Sequence, residues 1–212
     1  GIQAPSGDNA QPWKFAYDTD HINLFLDREK DTSFFNVKQI ASLISCGAVL
    51  ENIKIAATAF GVEADIKITP PDGIRDQVAA IRFSCADSPD TRPDPLHAYI
   101  WERHTNRKMY KRTAVPARVI DEMQSSITGI PGARLHIVTD RNQLKKVARL
   151  VFQIDRIRTE FRPLHEHLMN MIRFTPEEVL EKRDGLPLKN LEAGLAGEMF
   201  LKLTRPWPLM NA

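Results

Sequence analysis

Apolar and polar positions alternate over residues 13–17 and again over 22–26, with Asp18, Thr19 and Asp20 between them. That period of two predicts a pair of strands joined by a tight turn. The pattern then changes. Over residues 37–60 apolar side chains (Ile40, Leu43, Ile44, Ala48, Leu50, Ile53, Ile55, Ala56, Ala57) fall on every side of a helical wheel. A helix apolar all round is predicted to be buried, with Gly61 as its terminator. Residues 62–69 and 77–84 predict a second strand pair around Pro70, Pro71, Asp72 and Gly73. Residues 87–95, rich in Pro and Asp, read as a linker. Beyond them the pattern predicts helices from about Leu96 to Arg103 and over 116–126, and a strand over 134–139. A long helix follows, opened by Asp140 and Gln143 as a capping box, with Leu144, Val147, Ala148, Val151 and Ile154 on one face. Thr175 opens a short helix, Asp184 and Gly185 make a turn, and residues 188–203 read as a helix weakened by Gly194 and Gly197. Residues 162–191 as a whole are polar and broken, and read as a peripheral helical pair.

Composition narrows the classes. With 42% hydrophobic and 26% charged residues in 212, the chain suits one large domain or two small halves. A net charge of +2 gives no global field that would recruit nucleic acid or a membrane surface. No uninterrupted apolar run reaches the roughly 20 residues of a membrane span, and no signal-peptide pattern opens the chain. Cys46 and Cys85 sit in apolar surroundings and are expected to be buried, free thiols. A cytoplasmic location is expected. His165 and His167 are two apart, a spacing that puts them on different faces of a helix, so no metal site is expected. Neither a nucleophile elbow nor a dinucleotide-binding glycine loop occurs, which removes the common hydrolases and Rossmann dehydrogenases.

Two stretches carry candidate chemistry. The first runs from Ala4 to Trp13: Pro5 and Gly7 fix a tight backbone, while Ser6, Asp8, Asn9 and Gln11 offer hydroxyl, carboxylate and amide groups at the mouth of a strand. Its plain reading is a helix end followed by a turn. The second is Arg103, Arg107, Lys108, Lys111 and Arg112, five cations with no acid among them. Its plain reading is a solvated face. Alternatively Arg103 and Arg107, four apart, share one helix face and with the Thr105 hydroxyl hold a phosphate dianion.

Both stretches resemble elements of the FMN-dependent nitroreductase family. Pro5-Ser6-Gly7-Asp8-Asn9-Ala10-Gln11-Pro12-Trp13 is similar to the Pro-Ser-x-x-Asn-x-Gln-Pro-Trp segment that lies against the flavin. Arg103-His104-Thr105-Asn106-Arg107 is similar to the Arg-x-Ser-x-Arg element for the flavin phosphate, and residues 45–61 resemble the central helix. The order of the first two is reversed relative to the ordinary family, as in its duplicated members. The resemblance therefore implies an α+β fold, a mixed or mainly antiparallel sheet around a long buried central helix, in two related halves. The halves would be residues 1–88 and a degenerate 96–212, joined by the linker 89–95. It implies one FMN held by Pro5, Ser6, Gly7, Asn9 and Gln11 on the ring side and by Arg103, Thr105 and Arg107 on the phosphate side. It further implies hydride transfer from NAD(P)H to an electron-poor acceptor such as a nitroaromatic or quinone, with no catalytic side chain required and a homodimer allowed. In the duplicated members a stretch comparable to residues 162–191 covers the flavin region. A flavin-binding or flavin-storage protein without turnover, in which that stretch blocks the second substrate, and a structural domain that has lost its flavin, are the alternatives.

Overall fold

The computed structural model describes residues 1–69, 73–85, 92–111 and 113–210. The expected turn at 70–73, most of the linker and Arg112 fall wholly or partly outside that set. The first strand pair forms as the alternation predicts: β1 (Trp13–Asp18) and β2 (His21–Leu26) are antiparallel, with Trp13 opposite Leu26 and Asp18 opposite His21. The second pair, β3 (Val62–Ile68) and β4 (Gln77–Cys85), is antiparallel as well, with Ile66 opposite Ile81. The two pairs join edge to edge through β2 and β4, giving one antiparallel sheet of order β1-β2-β4-β3.

Residues 37–60 form a 3-10 turn and then α1 (Ile40–Thr58). One side of α1 covers the sheet. Cys46 and Val49 are fully buried there with Leu24 of β2 and Ala79 and Ile81 of β4, and Ala4, Trp13, Leu26 and Leu50 complete this core. Gly61 takes a φ of +65° after the helix, a left-handed conformation natural to glycine. The expectation that α1 is buried all round does not hold. Ile40, Leu43 and Ile44 are 55%, 47% and 70% exposed. The helix is apolar on both sides, but the sheet covers only one. Residues 37–58 also meet the length and composition of a membrane span, contrary to the reading from run length; their sheet-facing side forms a protein core.

The chain beyond residue 92 is helical. A 3-10 turn whose start is capped by Asp94 leads into α2 (Tyr99–Glu102). Then come α3 (Ala117–Ser125), α4 (Arg141–Glu160), α5 (Arg162–Met171), β5 (Ile172–Arg173), α6 (Pro176–Lys182), β6 (Leu186–Pro187), α7 (Gly194–Leu203) and α8 (Trp207–Met210). Asp140 accepts from the Asn142 and Gln143 amides, and Thr175 accepts from the Glu178 amide, so both predicted helix starts are capped by the expected side chains. Two expectations fail. Residues 134–139 form no strand and pair with none of the described residues, because alternation alone cannot supply a partner. The helix expected over 188–203 is broken, with Glu192 and Gly194 left-handed at φ +54° and +69°; a 3-10 turn (Leu188–Leu191) precedes α7. Met169, Ile172 and Leu188 form a second, smaller core with Phe174, Leu191 and Leu201 packed against it. Among the described residues, those beyond 92 contain no second copy of the four-stranded sheet.

Both thiols are free, Cys46 buried and Cys85 exposed. Exposure of Cys85 corrects the expectation of two buried thiols: it ends β4, beyond the stretch that α1 covers. Burial pushes the Cys46 thiol up to about 11.

Candidate functional site

The N-terminal segment is anchored by its apolar members. Ala4, Ala10, Pro12 and Trp13 are buried, and the Pro12 carbonyl accepts from the Asp27 amide at 3.1 Å. Between those anchors Gly7–Asn9 makes a 3-10 turn, and the Ser6 hydroxyl accepts from the Gln11 amide at 3.0 Å. Asp8, Asn9 and Gln11 all have positive φ (47°, 56° and 52°). Non-glycine residues in that region carry backbone strain that the surroundings must hold in place.

What holds it is the stretch 183–185. The Asn9 side-chain amide donates to the Gly185 carbonyl at 2.9 Å, and the Gly185 amide donates back to the Asn9 carbonyl at 3.1 Å. The Gln11 side-chain amide donates to the Arg183 carbonyl at 2.8 Å. Lys30 reaches Asp184 at 3.3 Å. Asp184 also accepts from the buried Arg173 guanidinium. Burial pushes the Asp184 carboxyl up, but its bonds to Arg173 and then Lys30 outweigh that and hold it below its ordinary value. Gly185 has no alternative residue. Its φ is +74°, and a Cβ there would lie 2.5 Å from the Met171 carbonyl oxygen. Asp8 meets the Arg158 guanidinium at 3.0 Å, tying the turn to the end of α4.

The cationic stretch is not helical. α2 ends at Glu102, and Arg103 has an extended backbone (φ −61°, ψ 122°), so Arg103 and Arg107 do not share a helix face as the spacing predicted. His104, Thr105 and Asn106 are weak helix formers, and the Asn106 side chain accepts from the Lys108 amide at 3.0 Å, a local turn that competes with helix. The loop is fastened instead to residues 190–192. The Arg107 amide donates to Glu192 at 2.7 Å, its guanidinium donates to the Asn190 carbonyl at 3.1 Å, and Lys108 approaches Glu192 at 3.6 Å. The Arg107 amide bond, helped by Lys108, holds the Glu192 carboxyl below its ordinary value against desolvation.

A cleft of about 270 Å³ lies at this junction, lined by His104, Thr105, Arg107, Lys189, Asn190 and Glu192. Thr105 and Arg107 are therefore brought together, and Arg103, Pro5, Ser6, Gly7, Asn9 and Gln11 are not among its lining residues. Gly7 lines a different cleft of about 230 Å³, with Asp8, Asp31, Phe35 and Arg158 among its walls. The two candidate stretches nonetheless converge on one strip of chain: Asn9 and Gln11 hold residues 183–185, and Arg107 holds Asn190 and Glu192.

The donor set at Thr105, Arg107 and Lys189 suits a phosphate, since a hydroxyl, a planar guanidinium and an ammonium border one space. Glu192 borders it too, but its oxygens are engaged by Arg107 and Lys108. Near Asn9 and Gln11 each side-chain amide nitrogen is used once, and among the described residues no donor reaches either amide oxygen. A ring edge presenting N–H groups would find two acceptors there. Sequence reasoning did not single out Lys189 or Glu192, and took most of the strip 183–192 as part of the broken segment 162–191. Only the Asp184-Gly185 turn signalled part of it, and nothing in the local pattern marks Lys189 as a partner of Arg107.

No protein-family model matches the chain. It is 29% identical over 192 residues to an uncharacterised protein of Mycobacterium tuberculosis (strain CDC 1551 / Oshkosh), an alignment covering 90% of this chain and 26% of that protein. It is 32% identical over 109 residues to another uncharacterised protein, of strain ATCC 25618 / H37Rv, covering 50% of this chain and 32% of the relative. It is 33% identical over 85 residues to a protein of the same species provisionally named NAD(P)H nitroreductase acg, covering 40% of this chain and 26% of that one. The chain thus spans about a quarter to a third of the relatives it matches. The fold, with its antiparallel sheet and long helix, is compatible with a nitroreductase-like class, and the partial likeness to acg points the same way.

Proposed function

We propose that the chain is an FMN-binding oxidoreductase of nitroreductase type. It would take hydride from NAD(P)H and pass it to an electron-poor acceptor of the nitroaromatic or quinone class. The observation that carries this reading is the strip 183–192, which both candidate stretches grip at opposite ends within one chain. Thr105, Arg107 and Arg103 would hold the phosphate, and Pro5, Ser6, Gly7, Asn9 and Gln11 would line the ring side. The flavin, when bound, supplies the hydride chemistry. The chain's own residues position it: Asn9 and Gln11 keep their amide oxygens for the ring edge, and Ser6 fixes the loop by accepting from the Gln11 amide. Residues 1–88 and 96–212 act as two cooperating halves in this proposal, and a homodimer is compatible with it.

The test is FMN affinity. Arg107→Ala and Arg103→Ala are each expected to weaken FMN binding by about tenfold or more, as the loss of one charge-assisted contact does. Riboflavin, which lacks the phosphate, should bind wild type and variants alike. Equal FMN affinity in both variants would sink the phosphate assignment. Asn9→Ala chains mixed with Arg107→Ala chains should regain no tight site, because both stretches belong to the same chain.

One observation favours flavin binding without turnover. Asn9 and Gln11 already spend amide nitrogens on the strip, which is thereby held against the segment expected to face the ring. Anaerobic addition of NAD(P)H to the FMN-loaded protein separates the two readings: the enzyme bleaches the oxidised-flavin band, and a storage protein does not.

A further inference from the structure

A cleft of about 240 Å³ lies between Arg173–Pro176, Val179 of α6, residues 187–190 and the face of α7 that carries Glu198 and Lys202. Its apolar wall is Phe174, Pro176, Val179, Pro187 and Leu188. Leu188 belongs to the second core, and Phe174 packs against that core. The Arg205 guanidinium lies 4.5 Å from the Phe174 ring centroid and keeps that ring in place.

Size and charge specify an occupant. An apolar cavity of about 150 Å³ takes a benzene ring, and drug-sized ligands need roughly 300–1,000 Å³. The volume therefore suits one ring with one substituent. The charged residues in the lining are Arg173, Lys189, Glu198 and Lys202. Arg173 is already neutralised by Asp184, and its other nitrogens donate to backbone carbonyls. Among the described residues neither lysine has a carboxylate within ion-pairing distance. Two ammonium groups thus face one carboxylate, Glu198, which leaves one positive charge at the mouth of an apolar cleft. A neutral ring would leave that charge unmatched, and a dianion would oppose Glu198.

We infer that this cleft binds a small aromatic monoanion, with the ring against Phe174, Val179 and Leu188 and the acid group between Lys189 and Lys202. The cleft adjoins the one proposed for the flavin phosphate, since Lys189 and Asn190 line both, but its occupancy without FMN does not depend on that reading.

Three probes test it on the full chain by calorimetric titration without FMN: benzoate, benzamide, which has the ring without the charge, and acetate, which has the charge without the ring. Benzoate is expected to bind at least about tenfold more tightly than either, the scale of one charge-assisted contact. Lys202→Met should reduce benzoate to the level of benzamide, and Lys202→Arg should retain the preference. Val179→Trp should fill the cleft and abolish binding of both ring ligands. Benzamide binding as tightly as benzoate, no benzoate binding at all, or unchanged binding in Lys202→Met each overturns the inference. Should Val179→Trp fail to fold, the Lys202 pair decides, since that side chain is exposed.

Discussion

Residues 1–85 and residues 92–210 treat their apolar side chains differently. In the first region β2, β4 and α1 face one another, so Leu24, Val49, Ala79 and Ile81 are completely buried. In the second, α4 carries an equally regular stripe that lies open: Leu144, Val147, Val151 and Ile154 are 43–50% exposed. Periodicity is thus a statement about what a segment can bury and not about whether a partner is present. The sheet region supplies its own partners because each strand pair is local and α1 lies across both pairs. The helical region spends its contacts on the second core and on the strip 183–192.

Stability measurements can break this comparison. Leu24→Ala or Ile81→Ala is expected to cost about 2–5 kcal/mol, as large-to-small changes in packed cores do, seen as a lower midpoint in denaturant unfolding. A loss below 1 kcal/mol at both sites would mean the sheet core is loosely packed. Gly185→Ala comes next, at roughly 1–3 kcal/mol, because the left-handed backbone and the Met171 carbonyl both resist a Cβ. Asn9→Ala removes one bond to that strip and should cost about 1 kcal/mol. It should also shift the spectrum of bound FMN; a variant that does neither would disconnect the N-terminal turn from the strip.

Acid sharpens the same contrast. Glu192 has its folded pKa depressed below the roughly 4.3 of an unfolded glutamate. Its contribution is therefore complete above that value and is lost as pH falls through the lower, folded value. The Arg107 amide resonance should move in that acid range while amides of β2 stay fixed. The smallest effect is expected on the open stripe. Val151→Ala should change stability by about 0.5 kcal/mol or less, and a core-sized loss would show that α4 has a partner in solution.

The sheet, α1 and the capped starts of α4 and α6 were legible because each is written in local chemistry: alternation, a terminal glycine, an Asp or Thr at the right offset. The strand expected at 134–139 failed because a strand is half a pair, and the other half is not a local property. The same division runs through the candidate site. Asn9, Gln11, Thr105 and Arg107 drew attention by type and spacing. Their partners could not: Arg183, Gly185 and Asn190 offer backbone carbonyls, which have no sequence signature, and Glu192 brings its carboxylate from far along the chain. Arg103 shows the opposite failure, where spacing suggested a shared face and the helix stopped before either arginine.

The strand order β1-β2-β4-β3 bears on how the chain reaches its native state. The pairs β1–β2 and β3–β4 close short turns, whereas Ile22 of β2 must find Ile81 of β4 with α1 and β3 in between. Closing a long loop is slower and entropically dearer than closing a hairpin. Two hairpins are therefore expected to form early and independently, with α1 bringing them together in the step that limits the rate. Pulse-labelled hydrogen exchange during refolding would register protection within each hairpin before protection between β2 and β4. The junction at Leu24 and Ala79, buried only when both hairpins and the helix are in place, would then be the last part of the sheet to become shielded from solvent.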